Sequence, residues 1–179
     1  ESEVYASSSL FVQIVVYLMM RWWEKADEPG HERYLLMIAY VIGLSVGVHL
    51  LSILAIFSIV YLVYFRKYTF STKGVVLASG FSLLVFIVIY KIIIMSLPSL
   101  IGGNLPFKNE LHEYYVENSD AVTFLTFLGI IGVVAGMIYG FMKNRKMLAL
   151  TCTSVVFVML GFTTYTHIIL RSQANPPMN

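Results

Sequence analysis

The chain has 179 residues, of which 58% are hydrophobic, 15% aromatic and 12% charged, with a mean hydropathy of +0.78 and a formal net charge of +2. A soluble domain carries roughly 45–50% apolar and about 25% charged residues. The composition therefore excludes a disordered chain, a nucleic-acid partner and a disulfide scaffold, and it argues against an ordinary soluble enzyme.

The expected class is an all-α, polytopic transmembrane helix bundle. Lipid forces the backbone to satisfy its own hydrogen bonds, so β-branched richness is no argument for strands. About 20 apolar helical residues cross a bilayer core of about 30 Å. Four stretches have that character: Val4–Trp22, Gly74–Leu97, Ala121–Met142 and Met147–Leu170. Tyr34–Phe65 is different. As one helix it would reach about 48 Å, well beyond a single span. Its middle carries Gly43-Leu-Ser-Val-Gly47-Val-His49, where two glycines weaken a helix. Two short helices, about 34–47 and 50–65, are expected to meet there in a bend, for about six helices in all.

The basic residues test that arrangement. Arg21, Lys25 and Arg33 precede the broken segment, and Arg66, Lys67 and Lys73 follow it. Basic loops face the cytoplasm, so both ends belong on one side, which a hairpin satisfies and a single crossing does not. Lys143, Arg145 and Lys146 form a third basic loop on that side, leaving only Lys91, Lys108 and Arg171 elsewhere. The termini and the 98–120 loop then share the outer face. Trp22 and Trp23 are expected at the inner interface. Glu110, Glu113 and Glu117 fall on one face of a possible outer helix, best read as an acidic solvated surface. Gly132-x-x-x-Gly136-x-x-x-Gly140 reads as a close-packing seam. Cys152, the lone cysteine, reads as a small core or lipid-facing residue.

Few polar residues stand out. His49 lies at the bend; an ionisable residue at membrane depth lines a cavity or pairs with something. It either faces an outer cavity or binds a neighbouring carbonyl. Glu1 and Glu3 lie in the first turn of a helix, where its dipole stabilises carboxylates without any further role; the functional reading makes them a base or metal ligand. Arg171 ends the last helix, where a cation is ordinary, but a guanidinium there also suits bidentate phosphate binding. Lys91, inside the second of the long spans, snorkels outward and is a weaker candidate for a lipid phosphate. No nucleotide-binding loop, paired Cys/His spacing or pore filter is present.

Three stretches together carry a resemblance: Glu1-Ser-Glu-Val-Tyr-Ala-Ser-Ser, Gly43-Leu-Ser-Val-Gly-Val-His-Leu-Leu51 and Arg171-Ser-Gln-Ala-Asn-Pro-Pro-Met-Asn179, with the Ala26-Asp-Glu-Pro29 loop. The chain resembles the large multi-spanning bacterial proteins, common in Bacteroidetes, that are grouped with animal protein O-mannosyltransferases of the transmembrane-protein-260 type. The resemblance implies an internal piece of a GT-C-like glycosyltransferase in the bacterial inner membrane, one transmembrane region over residues 1–179. It implies transfer of a sugar from a polyprenyl-phosphate carrier to a Ser or Thr hydroxyl of an exported protein on the outer, periplasmic face. The partners implied are membrane lipid, the lipid-linked donor, the protein acceptor and the rest of the parent polypeptide; a divalent metal is left open. The matched positions are Glu1, Glu3 and His49 for catalysis and Tyr5, Arg171 and Asn175 for substrate. Glu3 would order the acceptor or a metal, His49 would line the cavity, and Arg171 would hold phosphate. The principal catalytic carboxylate is expected upstream of Glu1, so the piece alone is expected to be inactive. Two other readings stand beside this one: a transporter fragment, in which the broken helix pair holds a substrate at mid-depth, and a non-catalytic scaffold whose polar residues only cap helices.

Overall fold

A computed structural model describes the backbone of residues 2–105 and 119–172, and the side chains of residues 6–50, 52–105 and 119–165. All regular structure among them is helical. We number six helices. α1 is Ser2–Lys25 and α2 is Glu32–Val46. α3 is Ala55–Lys67, entered through a tighter 3₁₀ turn at Leu50–Leu54. α4 runs over Thr72–Ile101, α5 is Asp120–Met142 and α6 is Lys146–Ser172. The chain divides into two compact units, one of Glu1–Phe86 with Thr153–Asn179 and one of Ile87–Cys152.

Among the described residues three helices are long and apolar enough to cross a membrane: α4, α5 and Lys146–Tyr165 of α6. Only 6% and 0% of the apolar windows of α4 and α5 are buried, so side chains such as Leu77, Phe81, Phe124 and Leu125 stand exposed on the helix surfaces and call for an apolar surrounding. α1, the fourth stretch expected to cross, is 24 residues long, enough for a bilayer core, and carries Ser7, Ser8, Ser9 and Gln13 among its apolar residues.

The first unit is built around α2. Ile38, Val41, Ile42, Ser45 and Val46 are buried at the i, i+3, i+4, i+7, i+8 spacing of one helical face. Val15 and Trp22 are buried on α1, two turns apart. The expected hairpin is present. At its open end Arg66, in the last turn of α3, donates to the Asp27 carboxylate and to the Trp23 carbonyl (3.4 Å), and its guanidinium lies 5.8 Å from the Trp23 ring. Lys67 lies 6.0 Å from the Trp22 ring centroid. Both ends of the hairpin thus share one basic end with the α1–α2 loop. Trp22 corrects the interfacial expectation. It is fully buried and packs on the His31 ring at 6.2 Å, while Trp23 keeps the exposed position. His31 Nδ1–H donates to the Glu28 carbonyl at 3.0 Å, and Gly30 at φ +80° supplies the turn that an L side chain rarely makes.

α3 and α4 run antiparallel. Phe57 meets Phe86 at 5.6 Å between rings, Tyr61 Oη lies 2.5 Å from Ser79 Oγ, and Gly74 leaves room for the Tyr64 hydroxyl. α4 therefore leaves from the same basic end. In the second unit, α5 ends in a Schellman turn. Asn144 adopts φ +53°, and the Arg145 and Asn144 amides donate to the carbonyls of Gly140 (2.8 Å) and Phe141 (3.3 Å). That turn brings α6 against α5: Ala149 backbone atoms lie within 3 Å of where a Gly140 Cβ would stand, and Cys152 Sγ faces Gly136. Only this half of the expected glycine seam is used. Gly129 and Gly132 have nothing within 4 Å.

Candidate functional site

The bend between α2 and the 3₁₀ turn is the centre of the candidate site. The amides of Val48 (3.0 Å) and His49 (2.8 Å) both fold back onto the Ser45 carbonyl, and the Ser52 amide reaches the His49 carbonyl at 3.1 Å. Ser45 Oγ donates to the Ile42 carbonyl at 2.9 Å, a back-bond that competes with the helix ladder where the helix ends. His49 is half-buried and Ser52 is 7% exposed, with its Oγ lacking a hydrogen-bond partner. α2 is about 22 Å long, short of a bilayer core of about 30 Å. Where such a break falls within a membrane, its non-helical backbone is tolerated only when shielded by protein or lining a cavity.

The shield is α6, and the glycines explain how it gets there. A Cβ at Gly43 would stand 2.2 Å from the Val158 carbonyl oxygen, and one at Gly161 would stand 2.4 Å from the Tyr40 carbonyl oxygen. Two backbones touch at this crossing with no side chain between them. One turn on, Gly47 faces Tyr165 Cβ at 3.0 Å. The two glycines expected to weaken the helix flank its end at Val46 and also form a small-xxx-small face. Gly47 has φ −65°, an ordinary helical value, so its small size and not its conformational freedom is what the site uses. Sequence reasoning missed Gly161 and Tyr165; the Gly43-x-x-x-Gly47 spacing was the available signal.

The pairing of Gly43 with Val158 and of Gly47 with Tyr165 makes this part of α6 parallel to α2. Beyond Tyr165, α6 continues to Ser172, so the backbone of Arg171 lies about 9 Å further along its axis than Tyr165. α1 is joined to α2 by the short 26–31 loop and packs antiparallel to it, so its start lies at the bend's end of this unit. Glu3 and Tyr5 are helical there, but their side chains, like that of Arg171, are outside the described residues; Glu1 and Asn175 are wholly outside them. The 106–118 stretch, including Glu110, Glu113 and Glu117, also lies outside them. His49 is therefore the one expected site residue whose side chain is described. Among the described residues no three His, Cys, Asp or Glu groups gather as a metal site.

At the opposite, basic end the Lys25 ammonium donates to Glu28 at 2.8 Å, and this hydrogen bond holds the Glu28 carboxyl below its ordinary range. Arg21 pairs with Glu24 at 3.0 Å. This end is a set of partnered surface charges rather than a binding site.

No curated protein and no solved structure matches the chain. Residues 1–72, which are α1, the α2–α3 hairpin with its bend and the turn that leads into α4, match the family model described as the Protein O-mannosyl-transferase TMEM260 N-terminal domain.

Proposed function

We propose that the chain is part of a membrane glycosyltransferase that moves a sugar from a polyprenyl-phosphate carrier to a Ser or Thr hydroxyl of an exported protein on the outer face of the membrane, within a GT-C-like architecture. The observation that carries the reading is the family match over residues 1–72, which contains two of the three resembling stretches and the 26–29 loop. The Arg171–Asn179 stretch falls beyond the match. In this reading the acceptor oxygen attacks the anomeric carbon, the bond from that carbon to the lipid phosphate oxygen breaks, and the hydroxyl proton passes to a carboxylate base. The departing phosphate needs a cation, the role assigned to Arg171; Glu3 orders the acceptor or a metal, His49 lines the cavity, and Tyr5 and Asn175 contact substrate.

The test reconstitutes the full-length protein in proteoliposomes with a polyprenyl-phosphate-linked mannose and a Ser/Thr-bearing peptide. Transfer to the peptide with release of polyprenyl phosphate is expected, along with weakened lipid-phosphate binding in Arg171→Ala. No transfer, with binding unchanged in both Arg171→Ala and His49→Ala, overturns the enzyme reading in favour of a scaffold. The unpartnered, buried Ser52 hydroxyl beside a helix break favours a transporter as the second reading. That reading predicts substrate uptake into the same vesicles without chemical change.

A further inference from the structure

α4 is not one regular helix. Its first part, Thr72–Ile87, is α-helical; Val88–Ser96 is a π-helix, and Leu97–Ile101 resumes the α-helix. In the π segment the Leu97 amide donates to the Ile92 carbonyl, and Ser96 Oγ donates to the Lys91 carbonyl at 2.6 Å. Pro98 explains the widening. It has no amide to donate, and its ring crowds the carbonyl four residues back; a wider turn relieves both.

Lys91 lies in this segment and is exposed, its Nζ 5.9 Å from the Tyr90 ring centroid. No carboxylate pairs with it among the described residues. Around it Ile87, Val88, Ile92 and Met95 are all exposed. Lys91 lies ten residues before the end of α4 at Ile101, on an open helix surface and not in a cleft, so its ammonium can snorkel toward that end.

We propose that Lys91, held beside Tyr90 on the π segment, seats the phosphodiester of a glycerophospholipid, with the acyl chains lying along Ile87, Val88, Ile92 and Met95. An ammonium on an open apolar helix surface, with no cleft to enclose a sugar, suits a bilayer phospholipid and not a transferred substrate. The seat is independent of the glycosyltransferase reading and holds equally for a transporter or a scaffold.

The test uses the full-length protein in phosphatidylcholine nanodiscs doped with phosphatidylglycerol, with polyprenyl phosphate or with neither. Retained lipids are counted by native mass spectrometry. The wild-type protein is expected to retain one phospholipid that Lys91→Met loses severalfold more readily, and Lys91→Arg is expected to retain it. Methionine suits a lipid-facing helix, and circular dichroism checks that the fold is kept. Tyr90→Leu, which keeps the ammonium, is the second variant and should weaken retention less than Lys91→Met. Equal retention in wild type and Lys91→Met overturns the proposal, and loss in Lys91→Arg overturns its electrostatic basis. Preferential retention of polyprenyl phosphate overturns the assigned occupant. Displacement by millimolar inorganic phosphate overturns a lipid seat.

Discussion

At the scale of single residues the glycines divide by what stands opposite them. Gly43 and Gly161 meet backbone, which cannot rotate out of the way of a new Cβ. Gly43→Ala should therefore cost about 2 kcal/mol, in the range of overpacking a tight contact. Its thermal midpoint in detergent should fall accordingly. Gly132 meets open space, so Gly132→Ala should be neutral or stabilise by up to ~1 kcal/mol through helix propensity. A Gly43→Ala midpoint equal to wild type would mean that the α2–α6 crossing is looser than described. Glu28 carries the clearest pH dependence. Its carboxyl is held low by the Lys25 hydrogen bond, so its contribution is complete above the ordinary glutamate value of about 4.3 and is lost as pH falls through the folded value. Lys25→Met should raise the Glu28 titration toward that ordinary value, read by carboxyl NMR. An unmoved titration would assign the shift to another group.

At the scale of elements the informative feature is the hairpin. Hydrophobic length alone showed that Tyr34–Phe65 was too long for one span, and the placement of Arg33 and Arg66 showed that the chain must return. Arg66 was legible as a charge on the correct side, but not as the clasp that ties α3 to Asp27, because ion-pair partners 39 residues apart are chosen by packing. The Arg66–Asp27 pair is surface-exposed, with side chains 29% and 83% accessible. Arg66→Ala should accordingly cost less than ~1 kcal/mol in global stability. It should nevertheless speed amide exchange over Trp23–Asp27 and the last turn of α3. Unchanged exchange there would show that the packing of Trp22 closes the hairpin without the clasp. The 3₁₀ turn and the π segment were not legible. Each is a local rearrangement around a lost or competing hydrogen bond, and hydropathy does not register either one.

At the scale of the whole molecule the charge pattern makes a definite topological prediction. The Lys73 and Asn144 positions lie within basic clusters and should be on the same, cytoplasmic side, with Gly103 opposite them. Single cysteines at these positions, in a Cys152→Ser background, should react with a membrane-impermeant maleimide from one side for Lys73 and Asn144 and from the other for Gly103. Labelling of Lys73 and Asn144 from opposite sides would overturn the six-helix topology and the outer-face placement on which the proposed transfer depends.

The chain's class, the number and approximate limits of its helices and the position of the break were determined by sequence alone. Those features follow from how many apolar residues fit a bilayer and where charge and glycine interrupt them, and both are local sums over the chain. Tertiary structure decided that Gly43 and Gly47 also serve a helix crossing, that Trp22 is core and not interface, and that Gly136 and Gly140, but not Gly129 and Gly132, meet α6. It also decided that Pro98 is accommodated by widening the helix and not by ending it. In each case the sequence shows a small, aromatic or ring-closed residue, but its role depends on which atom of a distant segment stands opposite, and only the folded chain specifies that.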